Sequence, residues 1–209
     1  GKLAMTAAST KSFHEYLSDP AKPVPYTSVI SGRRNNEYLA EDQRFAAQRP
    51  DVLVFETDTL TEDIVITGQI MANLFVSISG TDADFIVKLI DVLPETEENP
   101  NPNPRNLQMA GFQRLVRAEV FRGKFRNSFE TPAAFIPNKM EKVSFALNDA
   151  AHLFKKGHRI MVQVQSSWFP LVDRNPQKFM RIPDATEKDF QKATIRVYHN
   201  SHIVLPIMK

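Results

Sequence analysis

Cysteine is absent from the chain, and its absence removes several kinds of chemistry at once. Disulfide bonds, thiolate metal sites and cysteine nucleophiles all require it. Long hydrophobic runs are absent too, since no stretch approaches the roughly 18 apolar residues of a membrane-spanning helix. The first residues, GKLAMTAASTKSFHEYL, lack the basic start and apolar block of a signal peptide. We therefore expect a soluble globular domain with no membrane partner. These absences do not indicate its cellular compartment.

The chain also lacks a large excess of either positive or negative charge. The 26 basic and 24 acidic residues are interspersed and leave a net charge of +2. The densest basic patches are RGKFR at 122–126 and RR at 33–34. Nucleic-acid-binding domains normally carry a more concentrated basic surface than this. We interpret these charges as solvated surface residues and expect no nucleic-acid partner.

The motifs of nucleotide binding and of hydrolytic catalysis are missing. The seven glycines never occur at G-x-G spacing, and there is no Walker A run. The chain contains neither a G-x-S-x-G nucleophile elbow nor an H-E-x-x-H zinc motif. A Ser–His–Asp triad depends on spatial proximity that a sequence does not display, so it stays formally open. We expect no catalytic residue in this chain.

Histidines and paired carboxylates are the remaining candidates for a metal site. His152 and His158 flank a turn, and His199 and His202 lie at i and i+3 near the C-terminus. No carboxylate or thiolate close in sequence completes a ligand set for either pair, so we interpret all four as polar turn residues. Calcium in the GTDAD turn (80–84) is an alternative, although EF-hand spacing is absent. We predict no metal and no cofactor.

Alternation of apolar and polar residues, by contrast, is plentiful after residue 51. A period of two is typical of half-buried strands. One segment, 82–93, is apolar on nearly both faces, which predicts a central strand. The predicted strands are 52–59, 70–79, 82–93, 113–122, 140–147, 158–167, 194–200 and 201–208. Their short, regular spacing predicts an all-β fold, a jelly-roll β-sandwich.

Three further features concern the turns of this fold. GTDAD supplies residues typical of a hairpin turn. AAHLFKKGHR (150–159) predicts one helical turn that ends at Gly157, because glycine favours the position just after a helix. The last two strands are predicted to form a hairpin around Asn200 and Ser201.

Two segments are predicted to lie outside the regular strands. Residues 94–106, PETEENPNPNPRN, are acidic and rich in proline, which predicts an exposed and mobile loop. Residues 1–50 are irregular, and the prolines of their central part predict an extended strap at 13–26. We therefore divide the chain into an extended connector (1–50) and a β-sandwich (51–209).

The densest cluster of distinctive residues is SSWFPLVDRNPQ, residues 166–177, which contains the only tryptophan. In one interpretation, Trp168 and Phe169 form an aromatic platform for a sugar ring or a peptide. In the other, they anchor the end of a strand, Pro170 stops the ladder, and the polar residues that follow bond loop backbone. Buried aromatic residues beside a polar loop network are the commoner arrangement, so we favour the second. We call this segment the corner.

Several long blocks, taken together, resemble a known domain. They are YLSDPAKPVPY, EDQRFAAQRPDVLVFETDTLTEDIVITG, SGTDADFIVKLIDVLPE, FRNSFETP and HLFKKGHRIMVQVQSSWFPLVDRNPQ. In this order they resemble the C-terminal domain of the X-Pro dipeptidyl-peptidase and CocE/NonD serine hydrolases. The likeness is greatest to the α-amino acid ester hydrolase and glutaryl-7-aminocephalosporanic acid acylase branch. The resemblance covers nearly the whole chain and implies a jelly roll of the galactose-binding-domain-like type.

This resemblance also carries expectations about function. In that family an α/β-hydrolase domain with a helical cap precedes the jelly roll and supplies the serine nucleophile, the acid and the histidine. The resemblance therefore implies a non-catalytic accessory domain, inactive by itself, that packs on the hydrolase domain of the same polypeptide. It also implies that the domain helps to shape the substrate cleft or a homo-oligomer. The same resemblance implies a periplasmic or secreted protein.

The strap and the corner are the predicted contact surface, because both are rich in residues that anchor interfaces. The candidate interface or cleft-wall residues are Tyr26, Trp168, Phe169, Asp173, Arg174 and Asn175. Two alternatives remain open, because a fold does not by itself fix a function. One is a free-standing carbohydrate- or ligand-binding module, and the other is a complete enzyme with an unfamiliar site.

Overall fold

The computed structural model describes residues 1–6, 12–29 and 36–208. The RR pair at 33–34 lies outside the described residues. The strands are β1 (Phe13–Ser18), β2 (Leu53–Glu56), β3 (Ile64–Ile78), β4 (Asp84–Val92), β5 (Gln113–Arg122), β6 (Glu141–Phe154), β7 (Arg159–Gln165), β8 (Ala193–Tyr198) and β9 (His202–Val204). One short α-helix, α1 (Arg44–Ala47), and three 3₁₀ turns, Glu37–Leu39, Gly123–Phe125 and Ile182–Asp184, complete the described elements.

The strands form two antiparallel sheets that enclose the main core. The first sheet has the order β1-β8-β3-β6, with β9 also paired to β3, and the second has the order β2-β7-β4-β5. Strands from the start and the end of the chain are therefore neighbours in both sheets. This is the strand order of a jelly roll, in which two Greek keys wrap around one core. The predicted fold class is confirmed.

β4 is the central strand that the sequence predicts, and all nine of its residues are buried. Its inward side chains, Phe85, Val87 and Leu89, join the core between the sheets. Its outward side chains are also covered, as when Ile86 packs against Tyr26 and Trp168. A strand with two covered faces loses the simple alternation of polar and apolar residues. The N-terminal part of the chain thus covers the outer face of the second sheet.

Residues 1–50 contribute more to the sandwich than an irregular connector does. β1 pairs with β8 from Phe13 opposite Tyr198 to Ser18 opposite Ala193. The Tyr16 ring belongs to the main core, and its hydroxyl lies 2.7 Å from the Ser166 hydroxyl. The expectation of an irregular segment is wrong for β1, because pairing with a distant strand orders it. The boundary at residue 50 and the role of residues 1–50 as a connector stay predictions.

The helical turn predicted at 150–159 is absent, and residues 150–154 continue β6 instead. They pair with β3, from Ala150 opposite Gly68 to Phe154 opposite Ile64. The ladder of the 15-residue β3 supplies these partners, so tertiary pairing overrides the local preference. Gly157 does adopt a left-handed conformation, with φ of +89°, but it lies in the turn between two strands.

The two predicted hairpins are also wrong. GTDAD leads from β3 in the first sheet to β4 in the second, so it crosses between sheets. β8 and β9 both pair with β3, through Ile195 opposite Ile78 and Val204 opposite Met71. They therefore lie end to end along one edge of β3 instead of folding back on each other. The Ser201 hydroxyl accepts a hydrogen bond from the Phe75 amide at 2.9 Å in the turn between them.

The loop at 94–106 is exposed along most of its length, as the sequence predicts. Its mobility stays a prediction. Within the described ranges, no helix has the length and apolar character needed to cross a bilayer.

Candidate interdomain surface

Trp168 lies inside the protein and fixes the corner to the second sheet. The residue is 5% exposed and packs with Tyr26 and Ile86. The Tyr38 ring meets the indole edge-on, with 5.5 Å between ring centroids. These partners come from the N-terminal segment and from β4, so the indole joins three distant parts of the sequence. This arrangement supports the structural interpretation of Trp168.

The strap and the corner, which the sequence offers as separate candidates, are bonded to each other. The Tyr26 amide donates to the Phe169 carbonyl at 3.0 Å, and the Phe169 amide donates to the Val24 carbonyl at 2.9 Å. The Val24 amide donates to the Ser167 hydroxyl at 2.8 Å. Phe169 itself is 38% exposed. The two segments therefore form one continuous surface with an exposed aromatic ring.

A buried polar network ties the corner to the sheet crossing. The Asn175 amide group donates to Asp82 at 3.2 Å and to Asp84 at 2.8 Å. The Lys124 ammonium lies 3.8 Å from Asp82 Oδ2, the same oxygen that accepts the bond from Asn175. Burial raises the pKa of Asp82, and burial raises the pKa of Asp84 to about 7, although Arg122 and Asn175 oppose the second shift. Asp82 and Asp84, predicted to be turn residues, are therefore buried carboxyl groups whose neutral forms are favoured by burial.

Gln177 completes the connection between the corner and the crossing. Its carbonyl oxygen accepts hydrogen bonds from the Thr81 amide and from the Gln191 side chain, both at 3.1 Å. A Cβ atom on Gly80 would lie only 2.3 Å from the same oxygen. Only glycine allows the backbones to approach this closely. GTDAD is therefore shaped for packing against the corner.

The corner carries two charged residues at its surface, the exposed Asp173 and the half-buried Arg174. The Arg174 guanidinium lies 4.5 Å from the centroid of the Phe190 ring, donates to the Pro20 carbonyl at 3.2 Å and pairs with Glu187 at 3.1 Å. Asp173 forms an ion pair with Arg122. A shallow pocket of about 210 Å³ adjoins Arg174, and its lining residues are Asp19, Pro20, Ala21, Arg174, Glu187, Phe190, Gln191 and Lys192.

The six predicted residues thus occupy two different environments. Tyr26, Trp168 and Asn175 are 1%, 5% and 3% exposed, so their side chains are enclosed by this chain. Phe169, Asp173 and Arg174 retain accessible surface. Asp173, Arg174 and Asn175 do not form a network confined to the loop, because each has a partner from a distant segment. Their role at an interface stays a prediction.

His152 and His158 share a carboxylate that lies far away in sequence. One oxygen of the Asp91 carboxylate accepts a hydrogen bond from His158 Nδ1 at 2.7 Å, and the other lies 3.1 Å from His152 Nε2. Asp91 lies in β4 and His158 immediately before β7, both in the second sheet, whereas His152 lies in β6 of the first sheet. The contact therefore connects the two sheets. The interpretation as a turn residue is wrong for His152, which lies within β6, whereas the His158 amide does close a turn by donating to the Lys155 carbonyl at 3.0 Å. Across the described ranges, no group of three His, Asp or Glu side chains is arranged to hold a metal ion.

Replacing Asp91 with asparagine is expected to lower the free energy of unfolding at pH 7 by about 1–3 kcal/mol, because a buried partner is left without its hydrogen bond. Burial raises the pKa of Asp91, but bonds from both histidines outweigh this effect and hold the pKa below its usual range. The stabilisation is therefore present above about pH 4 and is lost as the pH falls through the lowered pKa. Urea unfolding at pH 7 and at lower pH measures it.

Asp58→Asn is the matched control, because Asp58 forms an exposed ion pair with Lys2. Exposed pairs of this kind contribute little. Equal stability changes for Asp91→Asn and Asp58→Asn, or an Asp91→Asn effect that grows below pH 4, contradict the assignment.

Two buried charged residues of β4, Asp91 and Lys88, are not among the predicted site residues; they are 1% and 0% exposed. Both interrupt the apolar strand DFIVKLIDV. A charged residue inside such a strand signals a buried polar contact, since charged side chains are almost never fully buried without a partner. The sequence does not show which partner.

Comparison with known proteins identifies the domain. Residues 2–202 match the family model described as the X-Pro dipeptidyl-peptidase C-terminal non-catalytic domain. The chain belongs to this family. The expected non-catalytic C-terminal domain is therefore confirmed, and the free-standing ligand-binding module is not favoured.

Similar proteins are much longer than this C-terminal domain. Cocaine esterase of Rhodococcus sp. (strain MB1 Bresler) is 34% identical over 213 residues, which cover 100% of this chain and 34% of the esterase. An α-amino acid ester hydrolase structure is 43% identical with a TM-score of 0.89, covering 100% of this chain and 35% of that one. An aminopeptidase structure from the marine sediment archaeon Thaumarchaeota archaeon is 42% identical with a TM-score of 0.86. The match covers 97% of this chain and 34% of the aminopeptidase. The chain thus spans about a third of these relatives and matches their C-terminal part.

Proposed function

We propose that this domain packs on the catalytic domain of a serine ester or peptide hydrolase of the same polypeptide, and that it helps to shape the substrate cleft or an oligomer. The observation that carries the proposal is the continuous surface of strap and corner, in which Phe169 is partly exposed beside Arg174. Aromatic residues and arginine are enriched in the cores of protein interfaces. The relatives named as hydrolases extend well beyond the matched third.

The chemistry of the proposed enzyme is hydrolysis of an ester or amide bond. This chain lacks the G-x-S-x-G elbow, so the serine nucleophile belongs to the other domain. The accessory domain then contributes rigidity and a wall, because its exposed residues are fixed by buried anchors such as Trp168 and Asn175. A wall of this kind positions substrate without taking part in bond breaking.

Phe169→Ala in the full-length protein is expected to separate the thermal unfolding of the two domains and to raise KM, because the exposed ring is proposed to lie in the interface. Differential scanning calorimetry and ester hydrolysis kinetics measure the two effects. Leu153→Ala is the matched control, since Leu153 is 40% exposed and lies on β6 of the first sheet, outside both the strap and the corner. The same result for both variants, or no change for Phe169→Ala, contradicts docking through the corner.

The reading frame upstream of Gly1 is expected to encode a G-x-S-x-G motif followed by an aspartate and a histidine, in the chain order of α/β-hydrolases. Sequencing of the gene tests this directly. A start codon immediately before Gly1 contradicts the proposal of a catalytic domain on the same polypeptide. Incubation of the 209-residue chain alone with a nitrophenyl ester is expected to give only the background rate.

A further inference from the structure

Lys88 is a fully buried lysine on the outer face of the second sheet. Its side chain is 0% exposed. Nζ donates to Gln43 Oε1 at 3.0 Å and lies 5.0 Å from the centroid of the Trp168 ring and 5.9 Å from that of Phe45. Gln43 and Phe45 belong to residues 36–50, which we call the cover segment. The ammonium group is therefore enclosed between a sheet and a separate stretch of chain.

Gln43, which is itself 0% exposed, is the residue of the cover segment that contacts Lys88, while Arg44 attaches the segment to the Gln108 and Ala110 carbonyls. The Gln43 side-chain amide donates to the Glu41 carbonyl at 3.0 Å, while its side-chain oxygen accepts from Lys88. Its backbone amide donates to the Gln113 carbonyl of β5 at 3.0 Å. Gln43 therefore links the backbone of the cover segment and strand β5 directly to Lys88.

The surroundings of Lys88 provide no counter-ion at bonding distance in the described part of the chain. Its neighbours across the sheet are Ala118 of β5 and Gln163 of β7, and neither titrates. The corner contributes the Trp168 ring. The cover segment contributes Glu41, whose charge favours the ammonium form but is outweighed by burial, so the pKa of Lys88 falls to about 7. A charge buried this deeply is unfavourable unless it is paired or loses its proton.

We propose that the cover segment is a proton-linked lid: its closure over Lys88 is coupled to the release of the Lys88 proton. The neutral amine still donates to Gln43 and still packs against the aromatic rings, whereas the ammonium requires water. Opening of the cover segment supplies that water. The lid depends only on contacts within this domain, so it stands whether or not the proposed docking is correct.

The direction of the pH dependence follows from the lowered pKa. A free lysine has a pKa near 10.4, so an open lid keeps its proton up to that pH. Closure therefore becomes more favourable as the pH rises from about 7 to about 10, and it is independent of pH below about 7. Local opening of this kind is measurable, because it exposes backbone amides to exchange without global unfolding.

Hydrogen exchange of the intact protein that contains this domain tests the lid. Peptides that cover residues 43–48 report on it, since the Ala46, Ala47 and Gln48 amides are bonded only within the cover segment. After correction for intrinsic exchange, wild-type protection is expected to be constant between pH 6 and 7 and to rise about tenfold per pH unit from 7 to 9. In Lys88→Met, protection is expected to be constant across the whole range.

Two further variants make the result decisive. Lys124→Met removes another buried lysine, outside the cover segment, and is expected to keep the wild-type rise. Gln43→Glu gives Lys88 a carboxylate partner at the same position and is expected to move the rise to higher pH, which tests the lid even if Lys88→Met fails to fold. A flat wild-type profile, or a rise that persists in Lys88→Met, overturns the proposal.

Discussion

Replacing Trp168 with alanine is expected to lower the free energy of unfolding by about 3–5 kcal/mol, the usual cost of truncating a buried large aromatic side chain. The indole packs with Tyr26 and Ile86, and its ring centroid lies 5.0 Å from Lys88 Nζ, so its removal leaves a cavity that the rigid sheet does not fill. Among the residues that the structure describes, none bonds to its Nε1 atom, so the loss is one of packing. The midpoint temperature of thermal unfolding is expected to fall by roughly 6–20 °C.

Phe129→Ala is the matched control for this effect. Phe129 is also aromatic but is 77% exposed. An exposed substitution of this kind changes stability by no more than about 0.5 kcal/mol. If Trp168→Ala leaves the unfolding midpoint within the range of Phe129→Ala, the indole does not anchor the N-terminal segment to the second sheet.

The pH dependence of stability is expected to change most in Asp84→Asn. Burial raises the pKa of Asp84 to about 7, whereas an unfolded aspartate has a pKa near 3.9. The contribution of this group is therefore fully present below about pH 4, is lost as the pH rises to about 7, and stays lost above it. A difference of about three pKa units corresponds to about 4 kcal/mol.

Asparagine has nearly the same shape as aspartate, accepts the bond from Asn175 and carries no charge. Asp84→Asn is therefore expected to be more stable than the wild type above pH 7 by up to about 4 kcal/mol. The two proteins are expected to converge near pH 4. Urea unfolding at pH values from 4 to 8 measures the difference between them, in which the contributions of other titrating groups cancel.

Asp173→Asn provides the comparison for Asp84→Asn. Asp173 lies in the corner, close enough to Asp84 for their charges to interact, but its side chain is 55% exposed and it pairs with Arg122. Its substitution is expected to leave the pH profile close to that of the wild type, because exposed ion pairs contribute little. Identical profiles for wild type and Asp84→Asn show that the buried carboxylate does not titrate as the structure indicates.

The corner illustrates how far local sequence information reaches. Its residue types predict buried aromatic anchors and bonded polar groups, and the structure places Trp168 and Asn175 in such roles. The partners come from elsewhere, because Asn175 bonds to Asp84 across 91 positions of the chain. Spacing along the sequence contains no information on such a contact.

The missed elements have a common cause. β1 and residues 150–154 lack a clear period of two, and they become strands because β8 and β3 offer them ladders. The two predicted hairpins fail because short turn sequences do not specify whether the next strand returns beside the previous one or enters the other sheet. Strand pairing is decided by the burial of whole faces, which is a property of the assembled sandwich.

The sequence by itself determined the β-class of the domain, most of its strands, and its family through long matching blocks, because alternation and motifs are local properties. Only the tertiary structure decided which polar groups meet in the interior. Asp91 meets two histidines, and Lys88 lies under Gln43, a residue 45 positions away. These contacts depend on how strands pair and which segment covers each sheet. Burial then changes the chemistry of the same side chains, since a charge removed from water must find a partner or lose its ionisation.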